Sequence, residues 1–211
     1  MLVALMDGRA WTARELAHAA GVAAPTATGH LNRLVGAGLL HEHRQGRHRY
    51  VQLAGPEVAQ ALESVAALGN QPARPVRSLR EASITSALSK GRTCYDHLAG
   101  TLGVAITEAL IERSVLTESL AMTTHGSSWL NGTLGPLPTF GRRPATRACL
   151  DWTERRVHLA GGLGAHIAAV FRERRWVRPA KNSRAVVLTP AGTDALQQLF
   201  GVDADAATTT R

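Results

Sequence analysis

The chain has 211 residues, of which 45% are hydrophobic and 19% are charged. This composition is typical of a folded globular protein and excludes disorder as a description of the whole chain. The longest apolar runs, such as residues 2–6 and 185–188, are far shorter than the roughly 20 residues that cross a bilayer, so no membrane span is expected. The first residues lack the basic region and cleavage site of a signal peptide, and a cytoplasmic protein is expected.

The formal net charge of +8 favours a polyanionic partner. The excess lies mainly after residue 70, where eighteen of the 24 basic and eleven of the 16 acidic residues are found. Only two cysteines are present, which excludes a disulfide framework. In a reducing compartment such thiols are more often buried, metal-binding or redox-active than bridged, so stability is expected to come from packing.

The first 68 residues predict two short helices, a hairpin and a third helix. Thr12 and Glu15 have the spacing of a capping box, which predicts a helix that continues to Ala20. A second helix is predicted to start at Pro25 and to end at Gly36 or just after it, because apolar side chains recur at helical spacing along one face: Ala27, Leu31, Leu34 and Val35. Strands are predicted over residues 39–44 and 48–53, joined by a tight turn, and a helix over residues 56–68.

The rest of the chain contains an internal repeat. Residues 97–113 align without gaps to residues 158–174, with nine of 17 positions identical, and each copy predicts a long helix, a hairpin and a shorter helix.

The expected fold class is mainly α with small β-hairpin wings. We expect an N-terminal winged helix-turn-helix domain at 1–68, a linker at 69–78, a C-terminal sensing or dimerisation domain of two duplicated helix-hairpin-helix (winged-helix-like) units at 79–202, and a frayed tail at 203–211.

The two N-terminal helices and the basic hairpin that follows them have the arrangement of a winged helix-turn-helix. The polar face of the second helix suits base edges and phosphates, and the hairpin suits phosphates or the minor groove. The predicted DNA-binding residues are Pro25, Thr26, Thr28, Gly29, His30, Asn32 and Arg33 on the helix, and Arg44, Arg47, His48 and Arg49 on the wing. Each element alone is equally well interpreted as a solvated surface, but their combination favours double-stranded DNA as the partner.

Residues 1–68, and residues 12–53 above all, resemble the winged-helix domain of the ArsR (arsenic-repressor) family of bacterial regulators. The shared features are a Gly-Val turn at 21–22, T-x-x-x-H-L at 26–31, L-x-x-x-G-L at 34–39 and G-R-x-R-Y at 46–50. The resemblance implies a homodimeric repressor that binds an inverted-repeat operator and leaves it when an inducer binds.

The chain departs from this family in three ways. Ala23 and Ala24 replace the usual polar pair at the start of the recognition helix, and neither of the familiar metal-sensing sites of the family has its ligands. The N-terminal helix that helps the family to dimerise is also missing from the pattern. We therefore expect the helix at 56–68 and the C-terminal domain to form the subunit contact.

Cysteine and histidine recur near the start of each repeat. Cys94 and His97 are expected to open the first repeat helix, and Cys149 and Asp151 precede His158 in the second copy. Zinc and other thiophilic ions prefer thiolate and imidazole ligands, and a carboxylate could complete a four-coordinate shell. A purely structural role and a redox pair are the alternatives. An unidentified effector is expected near Cys94, His97, Cys149, Asp151 and His158, with zinc or another thiophilic metal ion as a candidate.

No signature of thiol catalysis accompanies these cysteines, and no phosphate-binding glycine loop follows a predicted strand, so an enzyme is not expected. The sequence predicts a DNA-binding transcriptional regulator. Its expected form is a dimeric repressor that an effector in the C-terminal domain releases from an inverted-repeat operator. The alternative is a protein-interaction module that uses a winged helix without operator binding.

Overall fold

The structure, a computed structural model, describes residues 1–46, 48–69 and 79–203. Residues 70–78 of the predicted linker, wing residue Arg47 and residues 204–211 of the predicted tail lie outside the described residues. The described ranges form helices and small antiparallel sheets, in agreement with the expected class of mainly α with β-hairpin wings. None of the helices in these ranges has both the length and the apolar character needed to span a membrane.

The N-terminal part folds as a helix-turn-helix with a wing. Its elements are α1 (Leu2–Leu5), β1 (Trp11–Thr12), α2 (Ala13–Ala20), α3 (Ala24–Gly36), β2 (Leu40–Gln45) and β3 (His48–Leu53), and the sheet has the order β1-β3-β2. The predicted capping box is present, because the Glu15 amide donates to the Thr12 hydroxyl and the Thr12 amide donates to the Glu15 carboxylate. The small core consists of Leu5, Leu16, Leu31, Leu40 and Val51.

Two further helices, α4 (Pro56–Leu68) and α5 (Leu79–Lys90), precede the repeat. The first repeat segment comprises β4 (Arg92–Cys94), β5 (His97–Ala99), α6 (Gly100–Glu112) and α7 (Thr124–Leu134), with a single β-bridge between Leu116 and Met122. The second comprises β6 (Arg147–Leu150), β7 (Val157–Ala160), α8 (Gly161–Glu173), β8 (Val177–Pro179), β9 (Val186–Leu188), α9 (Pro190–Ala195) and a π-helical turn (Leu196–Phe200).

The prediction that Cys94 and His97 open a repeat helix is wrong. Cys94 lies directly opposite His97 in the β4–β5 hairpin, and the helix begins only at Gly100. Gly100 has a φ of 77°, a left-handed conformation that cannot continue a right-handed helix toward β5. Cys149 likewise lies opposite His158 in the β6–β7 hairpin, so the predicted cysteines and histidines are on strands rather than helix starts, and Asp151 follows β6 directly.

The two repeat segments pack across each other. Helix α6 contacts β7, helix α8 contacts β5, and β5 contacts β7. One core joins them, and it includes Leu110, Leu130, Leu163 and Phe171. This crossed packing brings the β4–β5 and β6–β7 hairpins side by side, with their cysteines and histidines facing one another.

Candidate nucleic-acid interface and buried cysteine–histidine cluster

Helix α3 has one buried and one exposed face. Ala27 and Leu31 are buried against the N-terminal core, whereas the opposite face exposes Pro25, Thr26, Gly29, His30, Asn32 and Arg33. Four of these residues line a depression in the surface: Thr26, Gly29, His30 and Arg33. Thr28 is half-buried, and its hydroxyl donates to the carbonyl of Ala24 at 2.9 Å. The residue before the helix is Ala23, so no side chain accepts a hydrogen bond from the amides of the first turn.

The wing presents its basic residues unequally. Arg44 and His48 are exposed near the tip, and Arg47 lies outside the described residues. Arg49 is half-buried: it donates to the Asn32 side-chain oxygen at 2.7 Å and pairs with Glu42 at 2.7 Å. The sequence predicts Asn32 and Arg49 as separate DNA contacts, whereas the structure brings them together as a bridge between the wing and α3.

A buried cluster of two thiols and two imidazoles lies between the β4–β5 and β6–β7 hairpins. Cys94, His97 and His158 have no exposed surface, and Cys149 is 9% exposed. The two sulfur atoms are 4.0 Å apart, and the two histidine Nε2 atoms are 3.2 Å apart. One ligand atom from each of the four residues lies within 4.8 Å of all the others. The cluster could therefore hold a metal ion.

Carboxylates stand behind both imidazoles. The Asp151 carboxylate lies 3.7 Å from His158 Nδ1, and the Asp96 carboxylate lies 3.4 Å from His97 Nδ1. Asp151 was predicted as a ligand, but it lies beside the four ligand atoms and accepts hydrogen bonds from the Gly100 amide and Thr153. Asp96 was missed in the sequence, although its place next to His97 was a usable signal.

The surroundings of the two thiols shift their pKa values in opposite directions. The hydrogen bond from Cys94, together with the nearby imidazoles of His158 and His97, holds the pKa of the Cys149 thiol far below its usual range. The same hydrogen bond, burial and the carboxylate of Glu63 raise the pKa of Cys94 far above it. These opposite shifts favour ionisation of Cys149 over Cys94, and the thiolate is the form that binds metals and reacts with oxidants.

A buried ion network joins the cluster to α4. Arg92 donates to both carboxylate oxygens of Glu63 at 3.1 Å and to Asp151 at 3.1 Å. Arg184 pairs with Glu63 at 2.8 Å and donates to the carbonyl of Met6. Burial opposes ionisation of Glu63 and Asp151, but the charge of Arg92 holds the pKa of both carboxyls below the usual range. No sequence spacing indicated this network, because its members come from distant segments.

No protein-family model matches the chain, and no solved structure matches it. The chain is 36% identical over 207 residues to a protein of Bacillus subtilis (strain 168) named "Uncharacterized HTH-type transcriptional regulator YdfF". The alignment covers 96% of the chain and 91% of that relative. The similarity therefore extends over both the winged helix and the part that carries the cluster.

Proposed function

The chain belongs to the helix-turn-helix (HTH-type) transcriptional regulators, and from this premise we propose that it is a dimeric repressor of the ArsR type that binds an inverted-repeat operator. The observation that carries the proposal is the exposed polar face of α3, which lies next to a basic wing and opposite the buried Ala27 and Leu31. We place its action in the cytoplasm, where its proposed DNA partner is, and propose a non-enzymatic role.

Helix α3 is the proposed reader of the major groove. Thr26 and His30 offer hydrogen-bonding groups, Gly29 permits close approach, and Arg33 is long enough to reach guanine or phosphate. The wing adds phosphate contacts from Arg44, Arg47 and His48. The bridge from Asn32 through Arg49 to Glu42 sets the angle between wing and helix.

A second copy of the chain is the proposed partner protein, since an inverted repeat is read by a twofold dimer. Three large apolar side chains are left exposed on α4 and at the start of α5: Val65 at 68%, Leu68 at 84% and Leu79 at 91%. Burial of this surface against its twofold equivalent would remove apolar area from water and fix the spacing of the two recognition helices. We propose that α4 and the C-terminal part form the dimer.

We further propose that the C-terminal part, 79–202, is a sensing and dimerisation domain built from two duplicated units. The support is the crossed packing of α6 on β7 and of α8 on β5. Each long helix also comes close to the histidine of the other unit through a glycine. A Cβ added at Gly103 of α6 would lie 3.8 Å from the Cβ of His158, and one added at Gly164 of α8 would lie 3.2 Å from the Cβ of His97. The cysteine–histidine cluster lies between the units, and we propose it as the effector site.

The test is selection of bound sequences from random duplex DNA, followed by affinity measurements on the enriched site. The wild type should enrich an inverted repeat. Arg33→Ala should lose about 1–3 kcal/mol on that site if it reads a base edge, and Arg44→Ala should weaken binding to all sequences and flatten the salt dependence. Arg178→Ala, an exposed arginine in the C-terminal part, is the matched control and should bind as the wild type does. Enrichment of no sequence would favour a protein-interaction module instead.

A further inference from the structure

We propose that the cluster between the two hairpins is a closed four-coordinate site for a divalent thiophilic ion of the zinc type. The ligands are the sulfur atoms of Cys94 and Cys149 and the Nε2 atoms of His97 and His158. Each hairpin supplies one cysteine and one histidine from opposed positions, so the ion joins the two hairpins. Ion binding itself does not depend on the proposed DNA binding.

The spacing of the ligand atoms fits a tetrahedron. With zinc–sulfur bonds of about 2.3 Å and zinc–nitrogen bonds of about 2.0–2.1 Å, a tetrahedral ion places two sulfurs about 3.8 Å apart and two nitrogens about 3.3 Å apart. The structure has 4.0 Å between the sulfurs and 3.2 Å between the nitrogens. Both distances are within about 0.2 Å of the tetrahedral values, and all four ligand atoms lie within 4.8 Å of one another.

The surroundings orient the imidazoles as ligands. His97 and His158 both turn Nε2 toward the cluster and Nδ1 toward a carboxylate, Asp96 and Asp151 respectively. Such a carboxylate behind a metal-binding histidine fixes the tautomer that leaves the inner nitrogen free to coordinate. His158 Nδ1 is buried and has no hydrogen-bond partner among the described residues, and Asp151 is close enough to become one after a small movement.

Charge balance selects a divalent ion. Two thiolates and two neutral imidazoles carry a charge of about −2, which a divalent ion neutralises and a monovalent ion does not. The adjacent network is neutral by itself, because Arg92 and Arg184 balance Glu63 and Asp151. A buried site therefore remains uncharged only with a divalent ion, and four protein ligands leave no open position for catalysis.

A disulfide is the competing interpretation. It requires a sulfur–sulfur distance of about 2.05 Å and an oxidant that accepts two electrons as the two thiols lose their protons. The sulfurs stand 4.0 Å apart, about twice the bonded distance, with imidazole nitrogens beside them, and Cys94 has no exposed surface. This arrangement favours coordination.

A regulatory consequence follows, and it rests on the proposed function. Arg92 is two residues from Cys94 and Asp151 is two residues from Cys149, and Arg92 pairs with both Asp151 and Glu63 of α4. Because α4 follows the wing directly, an ion that fixes the two hairpins also fixes the attachment of the DNA-binding part. Occupancy of the site should therefore change operator affinity, by about 5–150-fold for a typical coupling.

The first experiment measures metal in the full-length reduced protein, purified without chelator, by elemental analysis. One zinc per chain is expected, and the Cys94→Ser/Cys149→Ser variant and His97→Gln should lose it. His125→Gln, a change at an exposed histidine, is the control and should keep it. A folded wild type that retains no metal and binds no added zinc chloride would overturn the proposal.

A second measurement guards against variants that do not fold. Cobalt chloride added to metal-free wild type should give the thiolate charge-transfer and ligand-field absorption of tetrahedral cobalt. An octahedral cobalt spectrum without thiolate absorption would overturn the site in favour of a surface ion. Cysteines that react with a thiol reagent only after the protein is reduced would overturn it in favour of a disulfide. Operator affinity is then compared with and without zinc. If the zinc-loaded and the metal-free protein bind the operator equally well, the regulatory consequence alone is overturned. If the protein binds zinc but binds no DNA in either form, the proposed function alone is overturned.

Discussion

Arg92 is predicted to be among the most sensitive polar residues of the chain. It has no exposed surface, and its guanidinium group donates five hydrogen bonds, two of them to Glu63 of α4 and one each to Asp151, Leu88 and Thr153. Removal of one partner from a buried ion pair costs about 3–5 kcal/mol, because the remaining charges stay buried without compensation. For a chain of this length each kcal/mol lowers the melting temperature by about 2–4 °C. Arg92→Ala should therefore melt about 6–20 °C below the wild type.

The assay is thermal unfolding of the full chain, followed by circular dichroism at fixed protein concentration. Arg156→Ala is the matched control, because Arg156 pairs with Glu108 at the surface, where the two side chains are 47% and 38% exposed. Exposed pairs contribute about 0–1 kcal/mol, so this variant should melt within a few degrees of the wild type. Equal, small shifts for both variants would refute the argument that the Arg92 network holds α4 to the C-terminal part.

Two other predictions concern packing and assembly. Gly103→Ala places a Cβ against the carbonyl oxygen of Leu98 and should lower the free energy of unfolding by about 1–3 kcal/mol. The control Gly132→Ala meets nothing within 4 Å and should raise it by about 0.4–1 kcal/mol. If urea unfolding shows Gly103→Ala to be the more stable variant, the crossed packing is contradicted. Leu68→Asp should shift the dimer toward monomer in sedimentation, and the control Val22→Asp, at an exposed valine between α2 and α3, should not; an unchanged dimer would remove α4 from the subunit contact.

Local elements could be predicted from the sequence because their causes are local. The capping box at Thr12 and the apolar stripe through Leu31 each fix one helix within a few residues of the predicted bounds. The bridge between Asn32 and Arg49 and the pair of Glu63 with Arg92 could not be predicted. These contacts depend on how distant segments pack, and no periodicity in a single sequence reports that.

The cysteine–histidine cluster could be predicted only in part from the sequence. The repeat alignment places its cysteines and histidines at comparable points of the two copies, but the intervals from Cys94 to His97 and from Cys149 to His158 differ in length. The structure shows why they are equivalent: each cysteine opposes its histidine across an antiparallel hairpin, and only the hairpin loops differ in length. Strands of three or four residues are too short to show alternation, so the sequence pattern indicated a helix start instead.

The most direct test of the proposed function compares the affinity of the wild-type protein for its selected inverted repeat with its affinity for the same DNA with both half-sites scrambled, at about 0.15 M salt. Specific recognition by α3 predicts a ratio of about 10³ or more in favour of the inverted repeat. A ratio near one, with both affinities falling equally as salt rises, would contradict sequence-specific operator binding and leave only non-specific attraction between the basic surface and DNA.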